Sequence, residues 1–207
     1  MRFLWKRRKN LTNSYNTVKA LCSGELTEKK SKFTAYVCPV SGEEDAVSFV
    51  DKIKRQNHDA RHNCYAYRLA NGKEKFSDDG EPSGTAGAPM LSVLRSFGVC
   101  DTAVVVTRYF GGVLLGTAGL VRAYSGVVRE VLSGQDLVEM ALCQNLTVTV
   151  AYNMVSKIQY ELSKKNVVKT DIEYAENVTF SIWVAKPSDF EKVADFSAGE
   201  KTFLALP

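Results

Sequence analysis

Two glycine-rich stretches hold most of the residues that could do chemistry. Residues 78–91 read DDGEPSGTAGAPML, and residues 104–124 read VVVTRYFGGVLLGTAGLVRAY. Neighbouring carboxylates in the first stretch could bind Mg²⁺. Glycines between a strand and a helix, as in the second, could present backbone N–H groups to a phosphate. These residues form either an active site or the hinges of a binding surface.

A catalytic interpretation rests on five residues. In a strand, His62 and Cys64 point to the same face, where they could form a nucleophile–base pair or supply two metal ligands. The weak catalytic candidates are Asp78, Asp79, Glu81, His62 and Cys64. The alternative is a buried, hydrogen-bonded histidine beside a core cysteine, with the adjacent acids in a turn that bonds its own backbone. The chain has one other histidine, His58, so no familiar set of four zinc ligands is complete.

A nucleotide-binding interpretation is disfavoured by the spacing of the glycines. Gly111 to Gly116 is G-x-x-x-x-G, but Thr117 stands where a triphosphate-binding loop needs lysine. The dinucleotide pattern G-x-G-x-x-G is absent. The glycines could equally serve a tight turn and close packing of the helix.

A cationic surface is the remaining functional interpretation. Arg108 ends an apolar run, Arg122 and Arg129 are seven residues apart, and no acid lies between Arg108 and Arg129. Tyr109 or Phe110 could stack on a base. The predicted ligand- or anion-binding residues are Arg108, Gly111, Gly112, Gly116, Thr117, Arg122, Arg129, Ser83, Gly84 and Thr85.

Hydrophobic periodicity predicts the elements that position these residues. Residues 32–38 alternate as a half-buried strand, and residues 46–53 carry the apolar stripe of a helix. Residues 62–69 predict a strand that ends at the turn Asn71-Gly72. Thr85 is expected to cap a short helix, residues 103–106 to form a central strand, and residues 120–132 a broadly buried helix closed by Gly134.

The pattern of apolar and polar residues changes after residue 141. Alternating and helical patterns then follow in the order β-α-β-β-α-β, the split β-α-β of a ferredoxin-like sandwich. We therefore expect an α+β protein of two domains. The predicted divisions are a basic tip at 1–13, a first domain at 14–133, a linker at 134–141 and a ferredoxin-like domain at 142–207.

Composition limits the class of protein. The five cysteines form no C-x-x-C pair, which favours a reducing cytosol over a disulfide framework. The start lacks the apolar core of a signal peptide, and no run reaches membrane-spanning length, so we expect a soluble protein without membrane partners. Five of the 27 Lys and Arg residues lie in the first ten positions, which hold no acid. That tip could attract RNA or anionic lipid, or be a solvated tail.

The motifs HNCYAYRL, SDDGEPSGTAGAPML and VVVTRYFGGVLLGTAGLVRAYSG resemble the IMPACT/YigZ family over about residues 14–133. The remainder is similar to the family's bacterial C-terminal domain, a ferredoxin-like module like the last domain of elongation factor G. The resemblance implies a first domain folded as an α/β sandwich, like the second domain of a small-subunit ribosomal protein. Two departures are Ala88, where many relatives have a basic residue, and Ala118, where glycine is frequent. The first weakens anion binding by that loop, and the second indicates that a glycine-only backbone is not required there.

The resemblance also implies a function. Eukaryotic relatives regulate translation by competing for an activator of a stress-responsive kinase, and bacterial members are suspected to bind nucleic acid. We therefore expect a cytosolic, non-enzymatic regulator that binds RNA, the ribosome or a translation-associated protein, with no cofactor. The alternatives are a metal-assisted or Cys/His hydrolase using the cleft of residues 78–87, and a pure protein-partner adaptor. The oligomeric state is left open.

Overall fold

A computed structural model describes residues 14–206. The chain divides into two compact units at the Val138–Glu139 boundary. The expected basic tip, residues 1–13, lies outside the described residues, as does residue 207. Within the described part of the chain, none of the helices has the length and apolar character needed to cross a membrane.

The first unit is a five-stranded antiparallel sheet with helices on both faces. Its elements are β1 (Ser14–Val18), β2 (Cys22–Glu28), β3 (Ser31–Pro39), α1 (Glu43–Gln56), β4 (His62–Arg68), β5 (Glu74–Ser77), α2 (Gly87–Ser96), β6 (Thr102–Tyr109) and α3 (Thr117–Ser133). The sheet order is β2-β3-β6-β4-β5, and β1 is not part of this sheet. This order places β6 in the middle, as its unbroken apolar run predicts.

The core of this unit explains that run. Val104 and Val106 face the side covered by α2 and α3, whereas Ala103 and Val105 face α1. A strand covered on both faces needs apolar residues at every position. The same coverage applies to β3, where Tyr36 and Cys38 pack on the α1 side, so β3 is more buried than its alternation predicts.

The apolar faces predicted for α1 and α3 are buried, with one residue as the exception. The predicted face of α1 is buried, and Gly134 forms the C-cap of α3 as expected. Val121, predicted on the buried face of α3, is instead 36% exposed, because it lies at the edge of that face, one position after Leu120. Ala118 sits in the first turn of α3, where an ordinary helical residue fits.

The second unit has the split β-α-β arrangement. Its strands are β7 (Leu137–Val150), β8 (Lys169–Tyr174), β9 (Val178–Val184) and β10 (Ser197–Ala205), with one helix, α4 (Val155–Ser163). The antiparallel order β10-β7-β9-β8 places β9 between β7 and β8. The expected α+β class with two domains is confirmed.

Two details of this unit differ from expectation. The predicted second helix is only a 3₁₀ turn at Pro187–Phe190, because six residues separate Phe190 from the start of β10 and the chain must turn back within them. Phe190 and Phe196 meet edge to face across that return. Between the units, β7 begins at Leu137, so residues 137–141 of the expected linker belong to a strand.

Truncation of Phe180 tests how much the core of the second unit contributes to stability. It is fully buried on β9, next to α4 in the core of this unit. Phe180→Ala is expected to lower the free energy of unfolding of this unit by about 3–5 kcal/mol, because it leaves a large cavity. Trp183 lies on the same strand, and in a Trp5→Phe background its fluorescence during urea unfolding reports the change. Tyr174→Ala, at a 58% exposed position of β8, is the control; equal midpoints for the two variants would contradict this core.

Candidate functional site

Asp78 caps helix α2 from outside the helix. Its Oδ1 accepts hydrogen bonds from the backbone N–H groups of Ala86 at 3.0 Å and Gly87 at 2.8 Å, and its Oδ2 accepts one from Gly84 at 2.8 Å. The Ala86 and Gly87 groups are N–H groups that a helix start leaves without partners, and Gly84 lies in the loop just before it. The expected cap, Thr85, instead donates its hydroxyl to the Pro82 carbonyl at 2.6 Å. The cap comes from Asp78 because the loop folds back over the helix start.

Asp79 ties the same loop to β4 and α1. Its backbone is left-handed, with φ 44°, a conformation that aspartate tolerates. Its carboxylate accepts hydrogen bonds from Lys54 Nζ at 2.7 Å and from the Asn63 N–H at 2.7 Å. Burial raises the pKa of this carboxyl, but the hydrogen bonds from Lys54 and the Asn63 N–H, together with the Lys54 charge, lower it by more, so the net pKa lies below its usual value.

Glu81 lies at the centre of a buried polar cluster. Its Oε1 accepts hydrogen bonds from Arg108 Nη1 at 2.7 Å and from the Tyr124 hydroxyl at 2.9 Å. His62 Nε2 is 3.9 Å from the same oxygen. His62 Nδ1 lies 2.8 Å from the Asp79 carbonyl, which can only accept, so Nδ1 carries the proton.

Arg108 is buried rather than presented to a ligand. It is 5% exposed, and its guanidinium carbon is 5.5 Å from the ring centres of both Phe33 and Phe110. Its Nη2 donates to Ser31 Oγ at 3.4 Å. Among the described residues, its Nε is the buried side-chain nitrogen or oxygen that has no hydrogen-bond partner.

Cys64 is a core thiol. Its Sγ is 2.9 Å from the Asp78 carbonyl and 3.4 Å from the Tyr124 hydroxyl. Burial raises the pKa of the thiol to about 12, with nearby carboxylates adding to the effect. At neutral pH the group is therefore protonated, whereas the thiolate is the nucleophilic form.

The structure thus brings the five catalytic candidates together but engages each in the protein's own contacts. The three carboxylates turn toward different partners: a helix start, a lysine and an arginine. Across residues 14–206, three or more His, Cys, Asp or Glu side chains nowhere converge as metal ligands would. Loop 78–87 consequently links β4, α2, α3 and β6 through hydrogen bonds.

An exposed apolar segment follows β6: residues 110–114, which we call the 110–114 loop. Leu114 is 81% exposed, Phe110 43% and Val113 41%. The next residue, Leu115, is buried and anchors the loop on the core. Gly112 and Gly116 have positive φ values of 82° and 74°, which permit the turns on either side.

Gly111 fixes this loop against the β2–β3 turn. A Cβ at this position would lie 2.0 Å from backbone atoms of Lys30, so only glycine fits. The Gly111 N–H also donates to Ser31 Oγ at 3.2 Å. The loop is therefore held at its base while its apolar tip is exposed.

The predicted cationic strip is only partly assembled. Arg122 and Arg129 are exposed on α3, two helical turns apart, but Arg108 is in the interior and paired with Glu81. Gly112, Gly116, Thr117, Ser83 and Gly84 are at the surface, whereas Thr85 is buried and Gly111 partly so. A role for the exposed members in anion binding stays a prediction.

Sequence reasoning missed two groups of residues. Lys54, Asn63 and Ser31 enter the network only through tertiary contacts, and no local pattern marks them. Val113 and Leu114 had a signal: they are apolar residues between glycines, outside any predicted strand or helix.

Comparison with known proteins agrees with this arrangement. The family model described as the Impact N-terminal domain matches residues 29–132. A Bacillus subtilis relative named IMPACT family member YvyE is 43% identical over 84% of this chain and 81% of its own length. The chain belongs to the IMPACT family.

Further matches extend across both units of this IMPACT-family chain. IMPACT family member YigZ of Escherichia coli is 36% identical over 86% of this chain and 91% of its own. A domain of unknown function, DUF1949, matches residues 148–199. A crystal structure of a hypothetical protein, 32% identical, covers 90% of this chain and 96% of its own with a TM-score of 0.62. The expected family resemblance is confirmed, and the Impact match includes the whole polar cluster and the 110–114 loop.

The capping role of Asp78 gives a stability prediction. Asp78→Ala is expected to lower the free energy of unfolding by about 2 kcal/mol, because three backbone N–H groups lose their acceptor. Urea unfolding measures the change. Ser83→Ala, at an exposed position of the same loop, is the matched control. A loss in the control as large as that in Asp78→Ala would rule out a specific capping effect.

The lowered pKa of Asp79 gives a pH prediction. Its ionised form stabilises the fold above the unfolded-state pKa of about 3.8, and this contribution is lost as the pH falls through the lower folded-state pKa. Asp79→Asn should therefore lose less stability than the wild type between pH 6 and pH 3. Urea unfolding across that range tests the difference, and a steeper acid loss in the variant would reverse the assigned sign.

Proposed function

We propose that this IMPACT-family chain is a cytosolic regulator of translation that acts by binding a component of the translation machinery rather than by catalysis. The observation that carries the proposal is the 110–114 loop: a fixed backbone that presents three apolar side chains to solvent. Exposed apolar clusters on a folded domain mark interaction sites. We infer translation as the process from the family, since the resemblance implies regulation of translation.

The polar cluster supports binding over catalysis. A general base or nucleophile must be free to reach a substrate, but Asp79, Glu81 and Cys64 are committed to contacts within the protein. The exposed side chains of the 110–114 loop are apolar, and their chemistry suits association with a partner.

An in vitro translation reaction tests the proposal. Adding the purified chain should change the rate of reporter synthesis in a concentration-dependent manner. Leu114→Asp should raise the half-effective concentration about tenfold, because a charge replaces an apolar contact worth about 1.5–3 kcal/mol when fully buried.

Val47→Asp is the matched control, since Val47 is 40% exposed on α1 at the opposite face of the sheet. It should act as the wild type does. A wild-type effect that persists in Leu114→Asp, or no effect of the wild type at all, would contradict the proposed function.

A further inference from the structure

The apolar tip of the 110–114 loop is an exposed surface with no partner assigned to it. Leu114 keeps 81% of its surface in solvent, and Val113 and Phe110 about two-fifths of theirs. On α3, Val121 adds another exposed apolar side chain one turn into the helix. A partner that covers these side chains removes their apolar surface from water, which favours association.

The loop is arranged in advance for such contact. Gly111 packs on the backbone of Lys30, Leu115 is buried in the core, and Gly116 starts α3. A partner would therefore order little of this backbone on binding. Pre-organisation of this type leaves more of the contact energy for affinity.

Cationic side chains lie beside the base of the 110–114 loop and on the helix that follows it. Lys29 and Lys30 form the β2–β3 turn against Gly111, and the Arg61 guanidinium lies 5.9 Å from the Phe110 ring centre. Arg122 is exposed on the first turns of α3. The nearby Asp59 already accepts a hydrogen bond from the Tyr109 hydroxyl at 3.0 Å. A positive rim of this kind favours a partner with negative charge.

The apolar groups distinguish an acidic protein from a nucleic acid. Single-stranded nucleic acids bind to aromatic platforms on which bases stack. Here the most exposed group by far is a leucine, at 81%, while Phe110 and Val113 keep 43% and 41% of their surface in solvent. The Phe110 ring lies between the guanidinium groups of Arg61 and Arg108, which occupy positions that a stacked base would need. Aliphatic side chains inside a basic rim fit a helix or strand that has leucine-like residues on one face and acids beside them.

We propose that the 110–114 loop, with its rim of Lys29, Lys30, Arg61 and Arg122, docks an acidic, amphipathic protein segment. This inference deepens the proposed function by naming the class of partner, and it rests on that function only for its place in translation. Binding of the segment itself is measured without any translation reaction.

The test uses three fluorescent 16-residue peptides and one RNA of equal length. The first peptide is an amphipathic helix with leucines on one face and glutamates on the other; the second replaces the glutamates with lysines; the third scrambles the first. Fluorescence anisotropy should show the acidic amphipathic peptide binding at least tenfold more tightly than the other two.

Variants of the full chain complete the test. Leu114→Asp should weaken binding of the acidic peptide about tenfold, and Arg61→Ala with Arg122→Ala should weaken it and reduce its salt dependence. Val47→Asp should bind as the wild type does. Circular dichroism of each variant confirms that the fold is kept.

The outcomes separate the two proposals. No binding of the acidic peptide, binding indifferent to Leu114→Asp, or loop-dependent binding of the RNA in its place would overturn the docking inference. If translation responds to Leu114→Asp while the peptide fails to bind, the proposed function stands and the partner class is wrong. If the peptide binds through the loop while translation is unaffected, the docking surface stands and the proposed function fails.

Discussion

The buried ion pair between Glu81 and Arg108 is the contact on which the rest of this region depends. Both side chains lie in the interior, at 8% and 5% exposure. Charges so far from water are tolerated only when they are paired and hydrogen-bonded. Glu81 meets that condition with Arg108 and Tyr124, and Arg108 with Glu81 and Ser31. Removing either partner would leave an uncompensated charge inside the domain.

This pair connects parts of the chain that are distant in sequence. Glu81 belongs to loop 78–87, Arg108 to the central strand and Tyr124 to α3. Because Glu81 is fixed, the acids before it reach their own partners, Asp78 at the start of α2 and Asp79 beside Lys54. Bonds within the protein thus account for the three acidic residues of this loop.

The buried position of Arg108 also determines which side chains are exposed at the end of β6. Arg108 lies beneath Phe110, and the chain leaves β6 directly into the 110–114 loop. Gly111 allows that exit to run against the β2–β3 turn with no room for a side chain. The apolar tip is therefore a consequence of how the strand ends, and it is held on one side by Gly111 and on the other by the buried Leu115.

The sequence by itself determined the family, the two-domain α+β class and most of the elements. These follow from local periodicity: the apolar run of β6, the stripe of α1 and the alternation in β9 each reflect burial on definite faces. Periodicity cannot report which polar residues meet across the fold. It therefore assigned the helix cap to Thr85 when Asp78 supplies it, and it predicted a helix where the return to β10 leaves room only for a 3₁₀ turn.

Only the tertiary structure decided which residues of the candidate site are paired and which are exposed. The sequence predicts Arg108 as a free cation because no acid lies between it and Arg129, yet Glu81, 27 residues earlier, neutralises it. Leu114 reads as one apolar residue among many, yet it is the most exposed of the large hydrophobic side chains described. Charge pairing and exposure depend on distances through space, and a linear pattern contains those distances only where neighbours in sequence are also neighbours in the fold.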